Sequence, residues 1–430
     1  MRTWHILVTI TMFGLMLTLT ACGEKPLLSQ VSFNKEVITP NADGDADVLV
    51  IAYNLSRSAD VSIYFESKEQ DQAGNRYYFR DHIHHPPSVE DPYQVHFAGV
   101  VDGYVLSDGE FEGFTVEKRV LQDGDYTWTV EATDEQNVTE QASGTLTIAA
   151  ADTAIPELGG FSVYPQVFSP NRDSIADRVT INVDLKKDVD ELTVYLEGED
   201  GVRYHVMEKE TVTELNEAGW HEFDYDAGVD HGADPPPDGT YTVTMRARDA
   251  VGQWTETAST LTIEEGGVPR AYILNGEVDW SGRGPEVSIP LSDTLYFTLT
   301  IENDSVVPIR TSGPPPGTVY DSKQNYATLG QYEQSGAFRV ALHCETSPTD
   351  HPWRWAIGGP GDLETRVIGG EEYRYLPAGG RALVTGGIRF VDYVEARNPQ
   401  YCYASLIHED VEISMVNYRV DPVQLKIQVP

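Results

Sequence analysis

Two stretches of this chain are copies of one pattern, and that repeat limits the fold more than any other feature. The first reads Thr39-Pro40-Asn41-Ala42-Asp43-Gly44-Asp45-Ala46-Asp47, and the second reads Ser169-Pro170-Asn171-Arg172-Asp173-Ser174-Ile175-Ala176-Asp177. A strictly alternating run follows each: Leu49, Ile51, Tyr53 and Leu55 in one, Val179, Ile181, Val183 and Leu185 in the other. Period-two alternation of this length is the mark of a strand buried on one face. A second alternating run comes next, Val61-Ile63-Phe65 and then Leu192-Val194-Leu196.

The copies also close alike. Asp123-Gly124-Asp125-Tyr126 and Asp238-Gly239-Thr240-Tyr241 each open a strand, with Tyr126, Trp128, Val130 and Ala132 inward in the first and Tyr241, Val243, Met245 and Ala247 in the second. Asp134 and Asp249 mark the turn into last strands carrying Leu146-Ile148 and Leu261-Ile263. The start repeats at a spacing of 130 residues and the end at 115, so the first copy holds about fifteen more, expected near Val100–Val120. Short strands between Gly, Asp and Pro turns predict a β-sandwich for each copy. With Pro-Asn-x-Asp before the first strand, followed by Gly44 in the first copy and Ser174 in the second, and Asp-Gly-x-Tyr before a late strand, both copies resemble the Ig-like domains of the flagellar hook-capping protein and of many secreted bacterial proteins. That resemblance implies fold, over residues 28–150 and 158–264, and little about activity. The segments Ala149–Gly160 and Glu264–Arg270 read as short linkers.

Residues 271–430 follow neither copy. Strands are expected at Leu295–Glu302, Arg339–His343, Arg381–Phe390, Val411–Met415 and Gln424–Val429. A strand ending Glu302-Asn303 and a later Leu376-Pro377-Ala378-Gly379-Gly380 resemble β-sandwich modules of the intracellular proteinase inhibitor-like type, although Ala378 intrudes before the Gly pair. The expected architecture is therefore all-β, three tandem Ig-like sandwiches.

The amino terminus sets the expected compartment. Arg2 precedes an apolar run from Ile6 to Leu19, the length of a signal-peptide core and too short to span a bilayer comfortably. The run ends in Leu19-Thr20-Ala21-Cys22, which resembles the lipobox of bacterial lipoproteins. The resemblance implies cleavage after residue 21, diacylglycerol on the Cys22 sulfur, and a short tether over 22–27. An ordinary secretory signal with an incidental Cys is the alternative. The protein would then sit outside the cytoplasm, lipid-anchored to a bacterial membrane at the cell surface or in the periplasm. Lys and Arg total 30 against 68 Asp and Glu, a formal charge of −38. That charge argues against nucleic acid as a partner and against electrostatic adhesion to anionic lipid, leaving the acyl chains to hold the membrane. The two remaining cysteines, Cys344 and Cys402, suit a disulfide in such a compartment, two buried thiols being the alternative.

Four places could carry chemistry. Asn41, Asp43, Asp45 and Asp47 alternate like the start of a calcium loop, with Gly44 at a turn; the same residues also suit self-bonded turns and strand caps. His82-Ile83-His84-His85, with His96, is the one His-rich stretch; on a strand His82 and His84 would share a face, but Pro86-Pro87 favours a solvated loop. Tyr320, Tyr326, Tyr332, Trp353 and Trp355 surround the stiff turn Gly313-Pro314-Pro315-Pro316-Gly317 and could stack on sugar or partner side chains, or pack inside. No phosphate loop, His-Glu-x-x-His or Gly-x-Ser-x-Gly occurs, so no catalytic residue is expected. The expected function is non-enzymatic: binding, adhesion or support at the cell envelope, with an unidentified protein or polysaccharide as partner. A carbohydrate-binding module and a proteinase inhibitor are the alternatives.

Overall fold

The computed structural model describes residues 25–69, 74–105, 114–207, 214–281, 284 and 286–429. Cys22 and the signal segment lie outside these residues. The chain is all-β: among the described residues helical turns are confined to three-residue 3-10 segments, and no helix is long and apolar enough to cross a membrane. It divides into two compact units, one of residues 1–103, 118–153 and 250–253, the other of 104–117, 154–249 and 254–430.

In the first unit a three-stranded sheet runs in the order Leu28–Phe33, Leu49–Leu55, Tyr93–Phe97. A five-stranded sheet runs Val37–Ile38, Thr139–Ile148, Gly124–Asp134, Ala59–Ser67, Arg76–His85. The alternation read from the sequence is the burial observed: Leu49, Ile51, Tyr53 and Leu55 face the core while Val50, Ala52 and Asn54 do not. Trp128 is only half-buried, stacked on Phe33 with ring centroids 4.1 Å apart.

The sandwich of the second copy repeats this plan. Leu158–Tyr164, Val179–Leu185 and Gly219–Tyr225 form one sheet, and Glu191–Glu197, Gly239–Arg248 and Trp254–Ile263 lie consecutively in the other. The Asp-Gly-x-Tyr segments have the same job in both. Tyr126 donates its hydroxyl to the Gln122 carbonyl at 2.9 Å, and Tyr241 donates to Pro237 at 2.7 Å, closing a tyrosine corner at the same four-residue offset. Asp123 accepts the amides of Ala150 and Ala151, and Asp238 those of Glu265 and Gly266, so each motif also ties down the chain leaving its sandwich. The expected extra segment of the first copy contains the strands Val100–Val105 and Thr115–Val120. Phe114 and Val116 join the hydrophobic core of the second copy, within the second unit.

Residues 271–428 build a larger sandwich. Its four-stranded sheet runs Ala271–Ile273, Thr294–Asn303, Arg381–Arg389, Val319–Asp321. The opposing sheet runs Glu286–Pro290, Val420–Gln428, Gln400–His408, Phe338–Cys344, Ile309–Thr311, Glu371–Leu376, Glu364–Ile368, and Trp353–Ala356 pairs with Phe338–Cys344. Four of the five strands expected here are present. The fifth is a correction: around Val411–Met415 there is an isolated bridge from Glu412 to His408 and then a 3-10 turn, Met415–Asn417. Val411 and Ile413 there are only half-buried and Met415 and Val416 are strongly exposed, because no neighbouring strand takes up their ladder. Cys344 and Cys402 face each other across adjacent strands and are joined as a disulfide. Closing a loop of 58 residues, it restricts the unfolded chain by about 4 kcal/mol in the chain-entropy picture. The two phrases that stood out in the sequence meet: the buried Asn303 amide donates to the carbonyls of Leu376 at 3.1 Å and Pro377 at 3.0 Å.

Candidate functional site

The two Asn-Asp loops share one backbone design. In the first, Ala42, Gly44 and Ala46 have left-handed φ, alternating with ordinary residues; Arg172, Ser174 and Ala176 do the same in the second. Such alternation points successive N–H groups into one cup, which binds an anion. Asp47 fills the first cup: Oδ1 accepts the amides of Asn41 and Ala42, both at 3.0 Å, and Oδ2 accepts Gly44 at 2.7 Å. Asn41 Oδ1 accepts Asp43 N–H at 3.0 Å, and Asp43 Oδ1 accepts Asp45 N–H at 2.8 Å. The Asn41 amide, first among these donors, holds the Asp47 carboxyl below its ordinary pKa. Three of the four residues weighed as calcium ligands thus spend side-chain oxygens on backbone amides, and Asp45 is exposed.

In the second unit the matching loop is covered. Asp177 accepts Asn171 at 3.0 Å, Arg172 at 2.7 Å and Ser174 at 2.5 Å, and Asp173 accepts Ile175 at 2.8 Å. The third sandwich closes over it. Tyr375 donates its hydroxyl to Asp173 Oδ2 at 2.8 Å, and His408 Nε2 lies 2.9 Å from the Arg172 carbonyl. A Cβ on Gly336 would meet the Asp173 carbonyl carbon at 2.3 Å, and φ there is 78°, so no other residue fits this approach without displacement. Burial raises the Asp173 carboxyl, and it pushes Asp177 up to about 6, with the neighbouring Asp173 adding to the rise. Burial likewise holds His408 down to about 4, so it is the neutral ring that meets the carbonyl.

Beside this joint lies an open cleft of about 900 Å³, bounded by Ser174 of the loop and by the third sandwich. Pro315 and Pro316 of the stiff turn form part of its wall, and Gln331, Gln334, Tyr373 and Arg374 line it as well. Arg310 also lines it while being only 6% exposed. Its guanidinium lies over the Tyr373 ring, 5.5 Å from the centroid, and Nη2 donates to the Ser335 carbonyl, but Nε has no hydrogen-bond partner. A buried N–H without an acceptor is costly, and Arg310 Nε is such a group at the wall of this cleft.

The aromatic candidates separate. Tyr320, Trp353 and Trp355 are corrected to core residues. The Trp355 ring meets Phe297 and Tyr320 edge-on, its N–H donates to Thr318 O at 2.9 Å, and the Tyr320 hydroxyl donates to Arg354 O at 2.7 Å. With all three rings enclosed, and the polar tips of Trp355 and Tyr320 engaged while Trp353 Nε1 is buried without a partner, they present no face for stacking. Tyr332 is exposed, and half-buried Tyr326 lies on the Arg354 guanidinium at 4.3 Å. Beneath it Glu409 pairs with Arg354 at 2.7 Å and with Arg339 at 3.3 Å. The histidine stretch is also corrected: His82, His84 and His85 belong to the strand Arg76–His85, kept in the ladder by pairing with Ala59–Ser67. His82 adopts left-handed φ where the register shifts, and His82 and His84 bond separately to Asp81 at 2.6 Å and Asp60 at 2.9 Å.

Sequence reasoning missed Arg310, Tyr373 and Tyr375. The loop itself did not signal them: Ser174-Ile175 replace Gly44-Asp45, but Arg172 brings a charge where the first loop has Ala42, and Ser174 is exposed.

No protein-family model matches the chain, and a search of curated proteins finds no match. Among solved structures it is similar to a Ca2+-stabilised adhesin with which an Antarctic bacterium binds ice, at 14% identity and a TM-score of 0.23, over 94% of this chain and 73% of that one. A structure bearing on host-surface retention of a 1.5-MDa bacterial ice-binding adhesin matches at 12% identity and a TM-score of 0.18, over 94% and 98%. The Bacteroides ovatus mixed-linkage glucan locus protein SGBP-B, solved with a heptasaccharide, matches at 10% identity and a TM-score of 0.16, over 91% and 66%. At these scores the likenesses carry no argument about residues or activity.

Proposed function

We propose that this chain is a non-enzymatic binding protein of the bacterial envelope, anchored by diacylglycerol on Cys22. The repeated sandwiches are its spacer, and the cleft beside Arg310 is the surface it presents. The observation that carries this reading is that cleft: open, about 900 Å³, and lined by Arg, Gln and Ser donors around an arginine Nε without an acceptor. Such a wall suits a ligand rich in oxygen acceptors, and a polysaccharide is the class we favour over a protein partner. Tyr373 and exposed Tyr332 supply ring surface nearby in the same sandwich. The net charge of −38 supports an acyl anchor, since it gives no electrostatic hold on an anionic membrane.

A glycan array probed with the intact protein tests the binding. Saturable binding that weakens at least tenfold in Arg374→Ala and Gln334→Ala is expected. Absence of saturable binding, or binding indifferent to both variants, would overturn the assignment to this cleft. Partition into detergent tests the anchor separately: Cys22→Ser should move the protein to the aqueous phase.

A further inference from the structure

Among the described residues one group of His, Cys, Asp and Glu side chains has all its ligand atoms within 4.8 Å of one another: His343, Asp350 and His351. None of the three lines the cleft. The sequence spacing is not that of a helical metal motif, and a hairpin makes the cluster. His343 is the penultimate residue of Phe338–Cys344, beside the disulfide, and the chain returns at Asp350-His351 to enter Trp353–Ala356, which pairs back on the same strand.

His351 is 1% exposed, so each of its ring nitrogens needs a partner. Nε2 has one, Ser405 Oγ at 3.0 Å. Nδ1 has none: Asp350 Oδ1 is 2.8 Å away but outside hydrogen-bond geometry. The same Asp350 oxygen is 3.8 Å from His343 Nδ1, whose lone pair accepts the His351 backbone N–H across a long 3.3 Å. The lone pair of His343 already faces the cluster, and the side of His351 opposite Ser405 faces it unpaired.

We propose that His343 Nδ1, His351 Nδ1 and the Asp350 carboxylate form a zinc site. Two imidazole nitrogens and one carboxylate oxygen suit Zn2+ and disfavour calcium, which takes oxygen ligands. Ligands of tetrahedral zinc lie roughly 3.4 Å apart for bonds of 2.0–2.1 Å; the exposed Asp350 oxygen, 2.8 Å from His351 Nδ1 and 3.8 Å from His343 Nδ1, reaches that spacing by shifting toward His343. Ser405 sets the ring of His351 from behind, as partners of ligating histidines do. The Arg419 guanidinium nearby is occupied on the faces of Tyr403 and Tyr418, and Asp350 supplies the charge that opposes the metal's. A fourth position is left for water or an external ligand, on the open side where Asp350 stands. The bound ion fastens the 345–352 hairpin, next to the Cys344–Cys402 bond.

Full-length protein, stripped with chelator and dialysed against Zn2+, provides the test. One zinc per chain is expected, with protection of the 345–352 hairpin from proteolysis. His343→Ala and Asp350→Asn should each weaken zinc binding at least tenfold, and Ser405→Ala by about tenfold. The double variant His82→Ala/His84→Ala should bind as wild type, which separates the site from the exposed histidines. Calcium at the same concentration should give no protection. Asp350→Asn alters an exposed side chain, so it remains informative if His343→Ala fails to fold. Folded wild type that retains no zinc would overturn the site. So would undiminished binding in Asp350→Asn, or loss of zinc in the His82/His84 variant.

Discussion

The loops 41–47 and 171–177 hold the same hydrogen bonds on the same alternating backbone, and their carboxylates behave oppositely. Asp47, near solvent, keeps its charge below the ordinary carboxylate range because backbone amides stabilise it. Asp177, with matching donors, is pushed up to about 6 because burial outweighs them. What changed is the covering: Tyr375, His408 and Gly336 sit on the second loop, within its own unit. A nest that is a solvated turn in one copy is a joint between sandwiches in the other. The lesson is that a local motif fixes the bonds, and its surroundings fix what those bonds are worth.

The sharpest way to break this comparison is at the glycines. Gly336→Ala forces a Cβ into the Asp173 backbone and should cost roughly 3 kcal/mol or more in the second unit. Gly44→Ala meets nothing within 4 Å and carries only the left-handed φ penalty, about 1 kcal/mol. Calorimetry of the full chain, read with hydrogen exchange to assign transitions, checks both; equal costs would deny that the second loop is a packed joint.

Removing the carboxylates comes next. Asp177→Ala leaves the amides of buried Asn171, half-buried Arg172 and exposed Ser174 without their acceptor and should cost roughly 2–3 kcal/mol. Asp47→Ala lets water replace the acceptor and should cost nearer 1 kcal/mol. The ordering is the prediction, measured by denaturant midpoints of each transition.

The pH dependence sharpens it further. Asp177 has a raised folded pKa, so its contribution is full below about pH 4 and declines as pH rises toward 6. His408 has a lowered folded pKa, so it acts in the opposite sense: stability is lost as pH falls from about 6.5 to 4. Each is worth about 3 kcal/mol at full shift, and they oppose one another across the same window. His408→Asn should therefore leave a second unit that weakens as pH rises through this range. Asp177→Asn should leave one that strengthens. Parallel melting profiles for the two variants would refute the opposition. Among changes at the covered loop the smallest effect is that of Tyr375→Phe, which removes one buried donor from Asp173 and should cost about 1–2 kcal/mol with no change in the first unit's midpoint.

Much of this was legible in the residues. The strand faces follow from period-two alternation, since a pleated backbone leaves a side chain no choice but one face or the other. The Asp-Gly-x-Tyr segments marked real corners, because a tyrosine hydroxyl four residues past its acceptor is a local contact. Trp353 and Trp355 were not assignable, because an aromatic beside a proline turn can face in or out, and the rings opposite them, Phe390 for Trp353 and Phe297 and Tyr320 for Trp355, decide which.

The sequence alone determined the all-β class, the repeat, the acidic surface and the turn chemistry of both Asn-Asp loops, all of which depend on neighbours within a few residues. Tertiary structure decided that one of those loops is covered, that Arg310 lines a cleft with an unpaired Nε, and that His343 meets Asp350 and His351. The first two depend on strands brought together across long stretches of chain and the third on the hairpin that pairs Trp353–Ala356 back on Phe338–Cys344, and both desolvation and orphaned polar atoms are properties of an assembled surface rather than of any segment.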